Sequence, residues 1–304
     1  MKKYLIAPEQ HKMALEKGQD VPNQRPFFPI KLTQVGITNK KVWVRLPYGM
    51  LEFNCTITVD LPSERRGIHM SRMEEAISSL YEKEFEDIAC YGIALARIVV
   101  DEQEGSTVLI QLSGSVPAAT LTKVSGRRSI DRIEIGTEVQ ISGKEYAINT
   151  KRYAAVYHIT ACPCTQVYAE NLFTNLNQPL PTITHSQRSR TGLGINGSAD
   201  IEYDQIISCL QRGLHVTQDL LKRPDEAEIV LQAHSTPQFA EDAVRAVARE
   251  VGVQFGSKIP ADTEIEIESL SYESIHIHDV TCRLKTTLGE IMEVMAEEEC
   301  NVGI

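Results

Sequence analysis

The order of strand-like and helix-like segments constrains the fold of this chain more than any single motif. Residues 40–47 and 51–62 are rich in β-branched and apolar residues and predict two strands around a short turn. Residues 69–105 carry apolar residues at helical spacing and predict two helices. Strand character returns at 107–126, so the first part of the chain has the order strand, strand, helix, helix, strand, strand.

The second part of the chain repeats this order. Its segments are two strands (130–142 and 146–162), two helices (about 199–221, and from Thr236-Pro237 to Gly252) and two closing strands (264–280 and 282–289). Because strands are grouped and helices lie between the groups, the pattern predicts an α+β fold with antiparallel sheets and helices on one face. A boundary at Gly126 divides the chain into a first module with an N-terminal arm, residues 1–126, and a second module, residues 127–304.

Three segments do not fit this pattern. Residues 1–30 have weak periodicity and predict an irregular arm. Residues 163–199 contain several prolines and glycines and predict a long loop, a type of segment that usually serves a functional site. Residues 286–304 predict a mobile tail or an interface element.

Charge and composition exclude several classes of protein. The formal net charge of −10 argues against a general nucleic-acid binder, since such proteins need a basic surface. The first residues hold no apolar run long enough for a signal peptide, and no stretch approaches the ~20 apolar residues that span a bilayer. Seven scattered cysteines do not form a secreted disulfide framework. We therefore expect a cytoplasmic protein that binds neither nucleic acid nor membranes.

Residues that could perform chemistry collect in the second half. Cys162 ends a strand in ITACPC, and the segments that follow it supply His185, Glu226, Glu273 and His276. Sulfur, imidazole and carboxylate ligands together suit Zn²⁺ or Fe²⁺, and a catalytic site would use three of them and leave one position open. Spacing alone leaves packing thiols, a redox pair, a nucleophile and metal ligands as alternatives.

A second candidate site lies in the first half. The segment DLPSERRGIHMSR places basic side chains around a glycine and a predicted helix start; they are Arg65, Arg66, His69 and Arg72. A helix N-terminus with nearby arginines can bind a phosphate group. The alternative is an ordinary charged turn.

Six motifs that occur in a fixed order identify a family resemblance. They are GIHMSR, CPC, HSQRS, LLKRPDE, FAED and ESIHIHD. Together they resemble the type IB GTP cyclohydrolases, and the match is nearest to their archaeal branch, MptA. The resemblance implies tandem T-fold modules, a tunnel-like homo-oligomer with the four subunits of a homotetramer, and active sites at subunit interfaces.

The resemblance also assigns roles to single residues. It implies three metal ligands: Cys162, His185 and Glu226. It implies that Glu241 anchors the purine of GTP and that Glu273 and His276 serve proton transfer. His69, Arg65, Arg66, Arg72 and Arg188 are candidates for contacts with the phosphates. Cys162 and His185 lie 23 positions apart, a longer separation than in bacterial members, and we expect the inserted segment to reshape the mouth of the pocket.

The implied reaction opens the imidazole ring of GTP at C8, releases formate and gives a 7,8-dihydroneopterin phosphate. The archaeal branch favours Fe²⁺ and a 2′,3′-cyclic phosphate for methanopterin synthesis, while Zn²⁺ and Mn²⁺ are alternative metals. The first alternative is a bacterial-type enzyme that makes the triphosphate for folate. The others are a T-fold reductase with Cys162 as a thioimide-forming nucleophile, and a non-catalytic purine-binding zinc protein.

Overall fold

A single antiparallel sheet organises the part of the chain that the computed structural model describes, which is residues 5–103, 107–142, 147–172, 182–197 and 201–302. The strands follow one another across the sheet in chain order. They are β1 (Leu32–Leu46), β2 (Gly49–Leu61), β3 (Thr107–Leu121), β4 (Arg128–Ser142), β5 (Ala147–Ala161), β6 (Ser186–Gly197), β7 (Glu264–Ser271) and β8 (Val280–Thr287). The sheet therefore passes through both predicted modules without interruption.

Helices occupy the connections between these strands. Within the described residues they are α1 (Pro8–Lys17), α2 (Met70–Leu80), α3 (Ile88–Gln103), α4 (Pro163–Leu172), α5 (Tyr203–Gly213), α6 (Arg223–Ser235), α7 (Ala240–Phe255) and α8 (Leu288–Val302). None of the described helices combines the length and the apolar character needed to cross a membrane.

The core lies between the sheet and the helices that cover it. Alternate residues of the strands are buried, as Val42 and Val44 of β1 show, because successive side chains of a strand point to opposite faces. Helix α3 packs on β3 and β4, and α7 packs on β6, β7 and β8. Leu95 of α3 and Val247 of α7 are fully buried in this core. The predicted α+β class is confirmed.

The repeated order of elements is present in the structure. The first copy is β1-β2-α2-α3-β3-β4, and the second is β5-β6-α5-α7-β7-β8, with α4 and α6 as additions. The two copies meet between β4 and β5, which pair from Glu134↔Ala155 to Ser142↔Ala147. The boundary predicted at residue 126 lies in the turn between β3 and β4, where Gly126 has a φ of +60°.

Several predicted segments are corrected by the structure, and proline explains most of the errors. Residues 8–17, predicted to be irregular, form α1, and residues 163–199 contain α4 and β6, although 173–181 and 198–200 lie outside the described residues. Pro8 and Pro163 are the first residues of their helices, a position that proline favours, so a residue type that suggests loops here starts helices.

Two helix boundaries and the C-terminal segment are also corrected. Helix α5 ends at Gly213 instead of near residue 221, and α7 begins at Ala240, not at Thr236, which caps the end of α6. The C-terminal segment forms α8, which packs against α7. It is therefore not a free tail over residues 288–302, and its role as an interface element stays a prediction.

The antiparallel register defines two ends of the sheet. At one end, which we call the lower end, β2 and β4 finish while β3 and β5 begin; Val59 pairs with Val108, and Thr107 pairs with Ser142. At the opposite end, the upper end, β5 and β7 finish while β6 and β8 begin. All strands run between these two ends, so residues that follow β2 and residues that follow β5 lie far apart.

Candidate active site at the upper end of the sheet

Cys162 and His185 face each other where β5 ends and β6 begins. The backbone N–H of Cys162 donates a hydrogen bond to the carbonyl oxygen of His185 at 3.0 Å, which extends the β5–β6 pairing by one step beyond Ala161↔Ser186. Thr184 also donates its hydroxyl to the carbonyl oxygen of Cys162, at 2.7 Å. The sheet thus brings together a thiol and an imidazole from two segments that the sequence separates.

A glutamine connects His185 to the predicted proton-transfer carboxylate. Nε2 of Gln187 donates to Oε1 of Glu273 at 3.2 Å, so Oε1 of Gln187 is left as the acceptor for Nδ1 of His185, 3.1 Å away. Nδ1 of His185 therefore carries the proton, and its Nε2 lone pair can bind a metal. Neither the role of Gln187 nor its contacts were predicted from the sequence.

Two further histidines lie beside this group. The ring of His276 is 6.4 Å from that of His185 and perpendicular to it, and the rings of His276 and His278 are stacked with their centroids 5.2 Å apart. The sequence predicted a strand that points both histidines to one side. Residues 272–279 instead form the loop between β7 and β8, and the loop allows the two rings to stack. His185 is thus connected to Glu273 through Gln187, lies beside the ring of His276, and is paired with Cys162 through the backbone.

The donor chemistry of Cys162 and His185 fits a Zn²⁺ or Fe²⁺ ion, since both metals take thiolate and imidazole ligands. Within the described residues, however, no three His, Cys, Asp or Glu side chains are grouped closely enough to hold a metal ion. Glu226, the predicted third ligand, is exposed in the first turn of α6. The backbone pairing places Cys162 and His185 opposite each other in one chain, and the ligand roles of Cys162, His185 and Glu226 stay predictions.

A series of hydrogen-bonded hydroxyl groups connects Glu273 to the buried core. On the face covered by the helices, the hydroxyls of Thr160 and Ser189 are 2.8 Å apart, Ser189 donates to Ser271 at 3.2 Å, and Ser271 donates to Oε1 of Glu273 at 3.0 Å. We call Thr160, Ser189 and Ser271 the hydroxyl chain. These residues were not predicted from the sequence, although they occupy positions of the strand alternation where apolar residues are expected.

A second row of polar residues lies on the same face of the sheet, two residues further from the upper end along each strand. Nε2 of His158 is 2.8 Å from the hydroxyl of Thr191, which donates to Ser269 at 2.8 Å. Because Thr191 uses its proton toward Ser269, it accepts from Nε2–H of His158. Nδ1 of His158 is buried without a partner among the described residues. Burial lowers the pKa of His158 to about 4.

Arg188 lies on the opposite face of the sheet, between two tyrosines. Its guanidinium is 5.5 Å from the ring centre of Tyr157 and 5.5 Å from that of Tyr272. Together with Tyr157 and Arg132 it lines a cleft of about 640 Å³ where β4 and β5 separate. Cation–π contacts on both sides hold the guanidinium in place and leave its charge available to an anion.

Glu241 occupies the first turn of α7 and is exposed. Burial, and secondarily the negative charge of Glu241, raise the pKa of the Cys282 thiol, so Glu241 lies near the start of β8. That position is at the upper end of the sheet, the same end as Cys162.

The basic group of the first half lies at the lower end of the sheet. Nη1 of Arg72 donates to the carbonyl oxygen of Glu102 at 2.5 Å, and Nη1 of Arg65 donates to that of Gln103 at 3.4 Å. Nε2 of His69 is 3.6 Å from a carboxylate oxygen of Asp20. An open pocket of about 360 Å³ is lined by Arg65, His69 and Arg72 together with Asn23 and Glu64. Within one chain the structure does not bring these residues to Cys162.

Comparison with known proteins identifies the family. The model of the type I GTP cyclohydrolase folE2 family matches residues 19–282. The chain belongs to this family. Its homologues are named GTP cyclohydrolases, hydrolases that act on C–N bonds, and the predicted enzyme class is confirmed.

Curated relatives agree with the family match, and one solved structure resembles the fold. The chain is 30% identical to GTP cyclohydrolase MptA 2 of Methanocella arvoryzae over 90% of this chain and 97% of the relative. It is 31% identical to GTP cyclohydrolase MptA of Methanocaldococcus jannaschii over 92% and 98% of the two chains. This chain also resembles uricase from Arthrobacter globiformis in structure, with a TM-score of 0.51 over 84% of this chain and 93% of the uricase chain. At 8% identity, this last likeness concerns the fold alone and supports the predicted T-fold architecture.

Proposed function

We propose that this GTP cyclohydrolase opens the imidazole ring of GTP at C8, releases formate, and forms a 7,8-dihydroneopterin phosphate for pterin synthesis. The family match supports GTP as substrate. The observation that carries the proposal is the hydrogen-bonded connection from His185 through Gln187 to Glu273, beside Cys162 and His276. It combines metal-type donors with proton-transfer groups, as hydrolysis of a C–N bond requires.

A divalent metal, with Fe²⁺ favoured over Zn²⁺ and Mn²⁺, is part of this proposal. Cys162 and His185 would hold it, and Glu226 would be the third ligand. When bound, such an ion would lower the pKa of a coordinated water toward ~7 and so supply a nucleophile at neutral pH. Gln187 contributes by fixing the tautomer and the orientation of His185.

The chain's own acids and bases then handle the protons. Glu273 is held by Gln187 and by Ser271, and we assign it the transfer of protons to and from the reacting centre together with His276. Glu241 recognises guanine, since one carboxylate can accept from both N1–H and the 2-amino group of its edge. Adenine has no such pair of donors and would leave the carboxylate without partners.

The phosphates of GTP are assigned to Arg188 at the upper end and to His69, Arg65 and Arg72 at the lower end. Because the two groups lie at opposite ends of one sheet, they meet only if copies of the chain associate. We therefore propose a homo-oligomer, a tetramer closing into a tunnel, in which one copy supplies Cys162 and another supplies His69. The 2′,3′-cyclic phosphate for methanopterin is the favoured product, and a triphosphate for folate is the alternative.

The test uses anaerobically purified protein, reconstituted separately with Fe²⁺, Mn²⁺ or Zn²⁺ and incubated with GTP. Formate and the fluorescence of the oxidised pterin are measured together, and the pterin phosphate is treated with phosphatase before and after opening of a cyclic phosphate. Formate with a phosphatase-resistant pterin supports the full proposal, and formate with a linear triphosphate selects the folate alternative.

The absence of formate with all three metals would reject the proposal and would favour Cys162 as a nucleophile. Mass spectrometry then distinguishes the remaining alternatives. A reductase would form a covalent thioimide on Cys162, whereas a purine-binding zinc protein would retain the metal and remain unmodified.

A further inference from the structure

The hydroxyl chain fills part of the core with polar groups. Thr160, Ser189 and Ser271 are exposed by 2% or less, and they lie on the face of β5, β6 and β7 that the helices cover. Burying a hydroxyl costs free energy unless it is hydrogen-bonded, so three neighbouring hydroxyls need a complete set of partners. Apolar residues at these positions would pack the same space without that requirement.

The hydrogen bonds of the hydroxyl chain have a direction. Ser189 donates to Ser271, and Ser271 donates to Oε1 of Glu273. An ionised carboxylate only accepts, so Glu273 is the group toward which the protons of the chain point. Gln187 donates to the same oxygen from the side of His185. Both bonds therefore fix Oε1, and neither uses Oε2.

We propose that Ser271 is a positioning residue for the reaction: with Gln187 it clamps Oε1 of Glu273, so that Oε2 is aimed at the reacting centre beside Cys162 and His276. This inference rests on the proposed function, because it takes Glu273 as the proton-transfer residue. Thr160 and Ser189 support the clamp from inside the core by satisfying and orienting the hydroxyl of Ser271. The buried hydroxyls thus serve catalysis through the geometry of one carboxylate.

The chain contains a matched control for this inference. Ser269 lies two residues before Ser271 on β7, is equally buried, and accepts a hydrogen bond from a hydroxyl of β6, that of Thr191. Replacing either serine with alanine leaves one buried β6 hydroxyl without its acceptor. The two serines differ because only Ser271 donates to Glu273.

The experiment compares Ser271→Ala, Ser269→Ala, Ser271→Thr and Glu273→Gln with the wild-type enzyme, using formate release from GTP and thermal unfolding. We expect Ser271→Ala to lower kcat by about 10- to 100-fold with little change in KM, since it removes a hydrogen bond to a charged group. Ser269→Ala and Ser271→Ala should lower the unfolding temperature by similar amounts, but Ser269→Ala should leave kcat within a factor of about two of the wild-type value. Ser271→Thr keeps the hydroxyl and should restore most of kcat.

Two results would overturn the inference. One is an equal kcat for Ser271→Ala and Ser269→Ala; the other is a loss in Ser271→Ala that Ser271→Thr does not recover although the variant is folded. Failure of the proposed function looks different: the wild-type enzyme would release no formate, or Glu273→Gln would retain full activity.

Discussion

His69 and Cys162 lie at opposite ends of the same sheet. His69 precedes α2 at the lower end, and Cys162 follows β5, whose 15 residues span about 45 Å between the ends. If both residues serve one active site, that site combines two copies of the chain. Co-expressed Cys162→Ala and His69→Ala chains should then form mixed oligomers that release formate, although each variant alone is inactive.

The control for this complementation is a pair of variants from the same end, Cys162→Ala with His185→Ala. Mixing these two chains leaves every site with at least one missing group, so activity should stay at the background level. Equal activity in both mixtures, or none in the first despite a confirmed mixed oligomer, would contradict a shared site.

Asp225 fastens the turn between β3 and β4 to the start of α6. Its carboxylate accepts from the N–H groups of Val124 and Ser125 at 2.9 Å, from the hydroxyl of Ser125, and from the N–H of Lys222. Burial alone would raise the pKa of Asp225, but these donors, led by Ser125, outweigh it and hold the pKa well below its ordinary value.

A carboxylate with a lowered pKa stabilises the fold above its ordinary pKa near 4 and loses that contribution as the pH falls further. Asp225→Asn should therefore lower the unfolding temperature at pH 7 and reduce the loss of stability that the wild-type protein shows below pH ~4. Calorimetry across this pH range checks both effects, and the exposed Asp262→Asn is the control. Identical pH profiles for Asp225→Asn and the wild type would contradict the assignment.

His158 should make stability fall at mildly acidic pH. Its pKa is lowered from 6.5 to about 4 by burial, so the unfolded chain binds a proton between these values while the folded chain does not. Stability should decrease by about 3 kcal/mol as the pH falls from ~6.5 to ~4. His158→Gln keeps an amide donor for Thr191 and should flatten this slope in urea titrations, whereas His11→Gln on the exposed arm should not. A slope that survives His158→Gln would assign it to another group.

Arg188 should act through its planar shape as well as its charge. Arg188→Lys retains the positive charge but loses the contacts with Tyr157 and Tyr272, so the new cation is less well positioned for phosphate. We expect KM for GTP to rise by about 5- to 30-fold, since two cation–π contacts of about 0.5–1 kcal/mol each are weakened. Arg132→Lys is the comparison, because Arg132 lies over a single tyrosine ring, that of Tyr157, pairs with Glu134 and has a side chain that is 63% exposed. Equal KM values for the two variants would remove Arg188 from the phosphate site.

The sequence predicted the elements with strong periodicity and the residues within motifs. Alternation around Val42 and Val44 gave β1, and helical spacing gave α2 and α3. It did not predict α6, because Pro224 near its start resembles a loop signal. The separation of His69 from Cys162 follows from strand register, which no local pattern encodes. The burial of Ser189 and Ser271 was not predicted, because small polar residues in a strand usually indicate the solvent-facing side of a sheet. Only the structure shows the hydrogen-bond partners that allow these serines to be buried.

The sequential order of the strands also sets the course of folding. The pairs β1–β2, β3–β4, β4–β5 and β7–β8 are joined by short connections, so these hairpins can form in microseconds once both strands have left the ribosome. The pairs β2–β3, β5–β6 and β6–β7 enclose helices and close longer loops, which costs more entropy and makes them slower. The metal-type donors Cys162 and His185 are adjacent as soon as β5 and β6 pair, whereas Glu273 joins them only after the last long loop has closed. We therefore expect the candidate catalytic group to assemble late in the folding of the chain.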